Sequence, residues 1–204
     1  MTIPSRRLFI LGGLALPSCT ALSALNEASV PRDTYELMPL TGRMQGLRSR
    51  RTLLVLEPTA PAAIATDRIL IKPDPLSVTY LPDVRWADEV PRILQNLLIR
   101  SLSESGRIGF VGEAGSGPIP DYVLLTRIDS FHVDVAADQS FTARIAFELT
   151  LLRDRDQSVQ GTQRFRGETA IANDQASTIV QALQQLMDTV LADAVGWTAG
   201  ALQQ

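Results

Sequence analysis

The sequence predicts an α+β fold, a mainly antiparallel sheet with two amphipathic helices packed on one face. Three stretches carry that reading. In FTARIAFELTL, Phe141, Ala143, Ile145, Phe147, Leu149 and Leu151 alternate with Thr142, Arg144, Glu148 and Thr150. A strict period of two means a strand with one face in the core and one face wet. Within residues 86–105, Val90, Ile93, Leu94, Leu97, Leu98 and Leu102 recur at spacings of three and four, the buried stripe of a helix. A second stripe, Ile179, Val180, Leu183, Leu186, Met187, Val190, Leu191 and Val195, runs through residues 174–195. One-sided helices and a half-wet sheet bury their apolar surfaces together as two layers.

The remaining elements follow in order. Tyr35-Glu36-Leu37-Met38 reads as a short first strand, and the Gly- and Arg-rich residues 39–51 as a loop. Leu53 to Glu57 is a compact apolar strand, followed by the Pro/Ala connection PTAPAAIATDR. Ile69 to Lys72 and Ser77 to Leu81 flank Pro73-Asp74-Pro75, a turn composition, and form a hairpin. Pro91 fits only the first turn of the first helix, and Gly106 stops it. Asp121 to Val135 opens with the apolar patch YVLL expected of a central strand. The charged turn Arg153-Asp154-Arg155-Asp156 leads into a return strand, Val159 to Thr169. Connections this short join antiparallel neighbours. Asn173 or Asp174 is the expected cap of the last helix.

The start of the chain has a different logic. Arg6 and Arg7 precede the uncharged run LFILGGLAL, and Pro17, Ser18 and Cys19 follow. A positive region, a short apolar region and a small-residue cut site make an export signal. Nine apolar residues fall well short of the roughly 20 that a spanning helix needs. Cys19 is the chain's one cysteine, and L-P-S-C resembles a bacterial lipobox. There a thiol takes the lipid because a thiolate is the competent nucleophile. Cleavage between Ser18 and Cys19 would make Cys19 the lipidated first residue. Arg6 and Arg7 before Leu8-Phe9 also resemble a twin-arginine export motif; a standard secretory signal remains the alternative. The expected organisation is a lipoprotein signal peptide over 1–18, a lipidated tether over 19–34, a folded domain over 35–198 and a tail over 199–204. Thr20 stands where an Asp would be the usual inner-membrane retention signal, which favours the outer membrane, facing the periplasm.

Composition narrows the function classes. The chain has 204 residues, 45% of them hydrophobic and 20% charged. That is a globular balance, with enough chain for a real core. Without Arg6 and Arg7, the 19 basic residues fall to 17, against 22 acidic ones, for a mature net charge of −5. A mildly acidic domain has no electrostatic attraction for nucleic acid. Arg43, Arg48, Arg50 and Arg51 do gather, in what reads as a solvated loop.

Catalytic patterns do not emerge. The one histidine, His132, lies in a predicted strand with no sequence sign of a nucleophile beside it. There is no G-x-S-x-G, Walker loop or H-E-x-x-H. The run from Gly112 to Gly117 lacks the lysine and helix of a phosphate loop and reads as a plain loop. Asp129, Asp134 and Asp138 lack calcium-loop spacing and read as a solvated strand edge. The reading is a non-enzyme with no cofactor and no metal.

One resemblance brings these pieces together. The lipobox is followed by Tyr35-x-Leu37-x-Pro39 and by ATDRILIKPDPLSVTYLPDVRWADEVPRILQNLLIRSLSESGRIGFVG. After these come DYVLLTRIDSF, a long strand ending in LLRDRD, and a final helix with Trp197 near its end. The chain resembles the ABC-type transport auxiliary lipoprotein family, which includes paraquat-inducible protein C. Its most specific pieces are Asp67-Arg68-Ile69, Tyr80 and Arg85-Trp86-Ala87. The resemblance implies a periplasm-facing subunit of a mammalian-cell-entry (MCE) type transporter moving lipids between inner and outer membranes. The implied partners are an MCE substrate-binding subunit, a permease and an ATPase. The membrane is met through the lipid anchor, and self-association into a homo-oligomer stays open. The alternative is an envelope scaffold lipoprotein with no transport role.

Overall fold

Alternation and helical periodicity become eleven elements in the computed structural model, which describes residues 32–203 apart from 114 and 116. In chain order they are β1 (Asp33–Tyr35), β2 (Thr52–Val55), β3 (Leu70–Asp74), β4 (Ser77–Tyr80), β5 (Val84–Trp86), α1 (Val90–Glu104), β6 (Phe110–Glu113), β7 (Tyr122–Val135), β8 (Phe141–Arg153), β9 (Ser158–Ile171) and α2 (Ala176–Ala201). The fold is α+β.

The long strands β7, β8 and β9 form an antiparallel meander. The alternation in β8 is visible as burial: Ala143, Phe147, Leu149 and Leu151 are fully buried and Ile145 is 1% exposed. Two short strands share the other edge of β7. Strand β2 pairs in parallel with its start, Leu53 opposite Tyr122, and β3 pairs in parallel with its end, Ile71 opposite Val133. Thr59 bridges to Arg127 between them. Outside these lie β6, parallel to β2, and β4, antiparallel to β3. Strands β1 and β5 make a separate parallel pair. The sheet is thus antiparallel along its long strands and parallel along short ones. Those parallel pairs close long connections: β2 reaches β6 only after α1.

Both helices cover one face and touch each other. Helix α1 buries Ile93, Leu94, Leu97, Leu98 and Leu102, and Pro91 sits in its first turn. Its buried Gln95 donates Nε2–H to the carbonyl of Val55 at 3.0 Å, satisfying a polar group inside the core. Gly106 follows α1 at φ +67°, a left-handed conformation that favours glycine. Helix α2 lies against β9 where two glycines let it approach. A Cβ on Gly167 would stand 2.7 Å from Leu186 Cδ1, and one on Gly161 3.3 Å from Trp197. Phe165 fills the space between them, 5.8 Å from the Phe147 ring and 5.9 Å from Trp197.

Three local expectations are corrected. The first residue of α2 is Ala176, and neither Asn173 nor Asp174 caps it: Gln175 is the N-cap, without a side-chain cap bond, and Asn173 Oδ1 accepts the N–H of Gln175 instead. The first strand ends at Tyr35, because residues 36–38 leave β5 and pass between the helices. Gly112 lies inside β6 and not in a loop.

Candidate functional site

Cys19, Ser18, Arg6 and Arg7 lie outside the described residues. The structure therefore bears on the folded domain alone. Three surfaces of that domain carry organised polar contacts: an entering strap, a basic loop at the helix ends and one face of the sheet.

The first is the strap by which the chain enters the fold. Asp33 pairs with Val84, and the N–H of Ala87 donates to the carbonyl of Tyr35. From there residues 36–44 run alongside both helices. Leu37 is 2% exposed in the core. Gln184 of α2 accepts the N–H of Met38 at 2.7 Å and donates to its carbonyl at 3.1 Å. The Ser101 hydroxyl of α1 accepts the N–H of Leu40, and the Ser105 carbonyl accepts that of Met44. The strap thus travels the length of α1, about 22 Å for its 15 residues.

The second surface lies where the strap ends. The basic loop meets the C-terminal ends of both helices there. Ser49 Oγ–H donates to the Leu202 carbonyl, and Gln203 Nε2–H donates to that of Leu47. Two loops interlock through glycines. Arg107 lies over Gly46, whose added Cβ would meet the guanidinium at 3.0 Å, and Arg43 lies over Gly106. Gly46 has φ +133°, so the position favours glycine on two counts. Arg51 pairs with Asp121 at 3.5 Å. Among the described residues, Arg43, Arg48, Arg50 and Arg107 face no carboxylate within 4.0 Å. Arg107 Nε is shut off from water without an acceptor.

The third is the sheet face away from the helices. Here Arg127 binds Asp129 and Glu148, each at 2.9 Å. Arg164 binds Asp129 from β9. Arg144 binds both Asp134 and Glu168. The hydrogen bond from Arg127 holds the Asp129 carboxyl below the usual carboxylate range. Asp129 and Asp134 are therefore rungs of a cross-strand ion ladder. Asp138 serves a turn, accepting the N–H and hydroxyl of Ser140.

His132 belongs to this face and is 7% exposed. Its Nε2 is 3.2 Å from Asp134 Oδ1. Burial pushes its pKa down, Asp134 pulls it up, and Lys72 and Arg144 push it down again. The arrangement is a buried imidazole satisfied by a carboxylate that already carries an arginine. Among the described residues, no group of three or more His, Cys, Asp or Glu side chains could hold a metal ion. No helix among them is long and apolar enough to cross a membrane.

Sequence reasoning found Arg43, Arg48, Arg50 and Arg51 as a group but missed Gln184, Ser101 and Arg107. The only local signal among these was Gly106 before Arg107. The other contacts join residues up to 146 positions apart.

Comparison with known proteins rests on this geometry. A crystal structure of a Xanthomonas campestris protein superposes with a TM-score of 0.77 at 24% identity, covering 84% of this chain and 97% of that one. A hypothetical protein from Chlamydia trachomatis gives a TM-score of 0.52 at 10% identity, over 74% of this chain and 97% of that one. At these identities the likeness is one of fold. No curated protein matches the sequence. The family described as "ABC-type transport auxiliary lipoprotein component" matches residues 35–195, from the end of β1 to the last turns of α2. A family of lipoproteins points to the cell envelope. This chain belongs to the ABC-type transport auxiliary lipoprotein family.

Proposed function

We propose that this chain is a periplasm-facing subunit of an MCE-type ABC transporter system that moves lipids between the inner and outer membranes. It acts by docking to the MCE subunit, with ATP hydrolysis carried by a partner. The observation that carries the reading is the family match across residues 35–195. The structure is compatible with a docking role: the ion ladders, the Gln184 bonds to the strap and the exposed arginines of the basic loop lie at the surface. In this reading Cys19 carries the lipid after cleavage behind Ser18, Arg6 and Arg7 direct export, and the anchor sits in the outer membrane.

A pull-down of the full chain from detergent-solubilised envelope, with partners identified by mass spectrometry, tests the proposal. Recovery of an MCE subunit with its permease and ATPase is the expected result. Recovery of envelope proteins without any transporter subunit would replace it with the scaffold reading.

A further inference from the structure

The arginine-rich end contains a groove of about 630 Å³ between the last turn of α1 and the start of β6. Its walls include Arg43, Arg48, Ser103, Glu104, Ile108 and Phe110. Strand β6 pairs only with β2, so its outer edge carries no strand among the described residues. Phe110 at its start is 40% exposed, and Leu47 of the basic loop and Ile119, nine residues after Phe110, are 76% and 89% exposed.

A purely structural role for the arginines has one physical basis. Both helices end here, and helix C-termini carry partial negative charge that cations offset. That role is weakly realised. Arg43, Arg48 and Arg50 are exposed. None of the guanidinium groups of Arg43, Arg48, Arg50 and Arg107 donates a hydrogen bond among the described residues, whereas Arg85, Arg127, Arg144, Arg153 and Arg164 all do. In a chain of net charge −3, four arginines are grouped at one end with no carboxylate within 4.0 Å of their guanidinium groups among the described residues.

We infer that this groove and the open edge of β6 receive an extended acidic segment of a partner protein. The backbone of such a segment would continue the sheet beyond β6, which supplies affinity without side-chain identity. Its carboxylates would meet Arg43 and Arg48, and an apolar side chain would rest on Phe110. Arginine and aromatic side chains flanking a concavity are the usual anchors of protein interfaces. Glu104 on the α1 wall repels carboxylates brought close to it, so the segment's acidic residues favour positions beside Arg43 and Arg48. This inference rests on the docking reading and assigns it a surface.

The test uses the full chain co-expressed with the MCE subunit and purified in detergent. The affinity of the wild type is compared with that of Arg43→Glu/Arg48→Glu, Phe110→Asp and, as a control on the ion-ladder face, Arg166→Glu. Thermal melting confirms folding, which these exposed positions leave intact. The first two variants are expected to bind at least tenfold more weakly, the control unchanged, and wild-type binding to fall as salt rises. Equal binding by all variants would overturn the groove and leave the docking reading standing. No binding by the wild type would overturn both. In parallel, vesicles of phosphatidylglycerol and phosphatidylethanolamine are offered to the same proteins. Vesicle binding lost by the double variant while MCE binding persists would make this end a membrane contact and overturn the inference.

Discussion

The side-chain amide of Gln184 makes two hydrogen bonds to the backbone of Met38, accepting its N–H at 2.7 Å and donating to its carbonyl at 3.1 Å. A glutamine on the last helix thus copies the pairing of a strand and pins the entering chain. Any pull arriving through residue 32 reaches β1 and this clamp before it reaches the central sheet.

Gln184→Ala is expected to loosen the strap with the fold retained. Two hydrogen bonds at an exposed site, where water can replace them, are together worth about 1–2 kcal/mol. Hydrogen exchange should accelerate at Met38 and not in β8. Unchanged exchange at Met38 would show that burial of Leu37 alone holds the strap.

Gly167→Ala is expected to destabilise the domain by about 1–3 kcal/mol, the usual cost of overpacking. The added Cβ would stand 2.7 Å from Leu186 Cδ1 and 3.1 Å from Val190 Cγ2. Gly161→Ala, with 3.3 Å to Trp197, should cost less. Denaturant melts of both variants check the order. A reversal would mean that α2 slides over β9 more easily than its packing implies.

His132 should give stability a pH dependence of known sign. Burial is the main cause of its lowered pKa. The unfolded chain, with an ordinary value near 6.5, then takes up a proton before the folded one does. The neutral ring's contribution is complete above about pH 6.5 and is lost as pH falls through the lowered value. His132→Gln removes the titration. Urea midpoints at several pH values should therefore show the wild type losing ground to the variant on acidification. A gain instead would mean that Asp134 outweighs burial.

Cys19→Ala is expected to leave the domain folded and free it from the membrane. Anchoring by acyl chains scales at about 0.8 kcal/mol per buried CH₂, and the variant has no thiol to carry one. Membranes washed in salt should release the variant and retain the wild type. A variant that still pellets would show that Cys19 is not the anchor.

What the sequence by itself determined is the set of strong periodic elements. The alternation through β8, the return of β9 and the two helical stripes are local properties, because burial repeats every 2 or 3.6 residues along one segment. Resemblance in the same residues also identified the family. The arginines of the basic loop were legible as a group, and composition alone left them as solvated charges.

Tertiary structure decided the rest. Which short strand lies beside β7 depends on closing long connections. The four residues of β2 hold no local mark distinguishing a parallel partner from an antiparallel one. The meeting of Arg43 with Gly106, and of Arg107 with Gly46, likewise needs two distant loops stacked at the helix ends. Gln184 is one polar residue among several on its helix, and its two bonds to Met38 exist only because the strap lies beside it. A side chain's periodicity fixes which way it faces, but only the folded chain fixes what it faces.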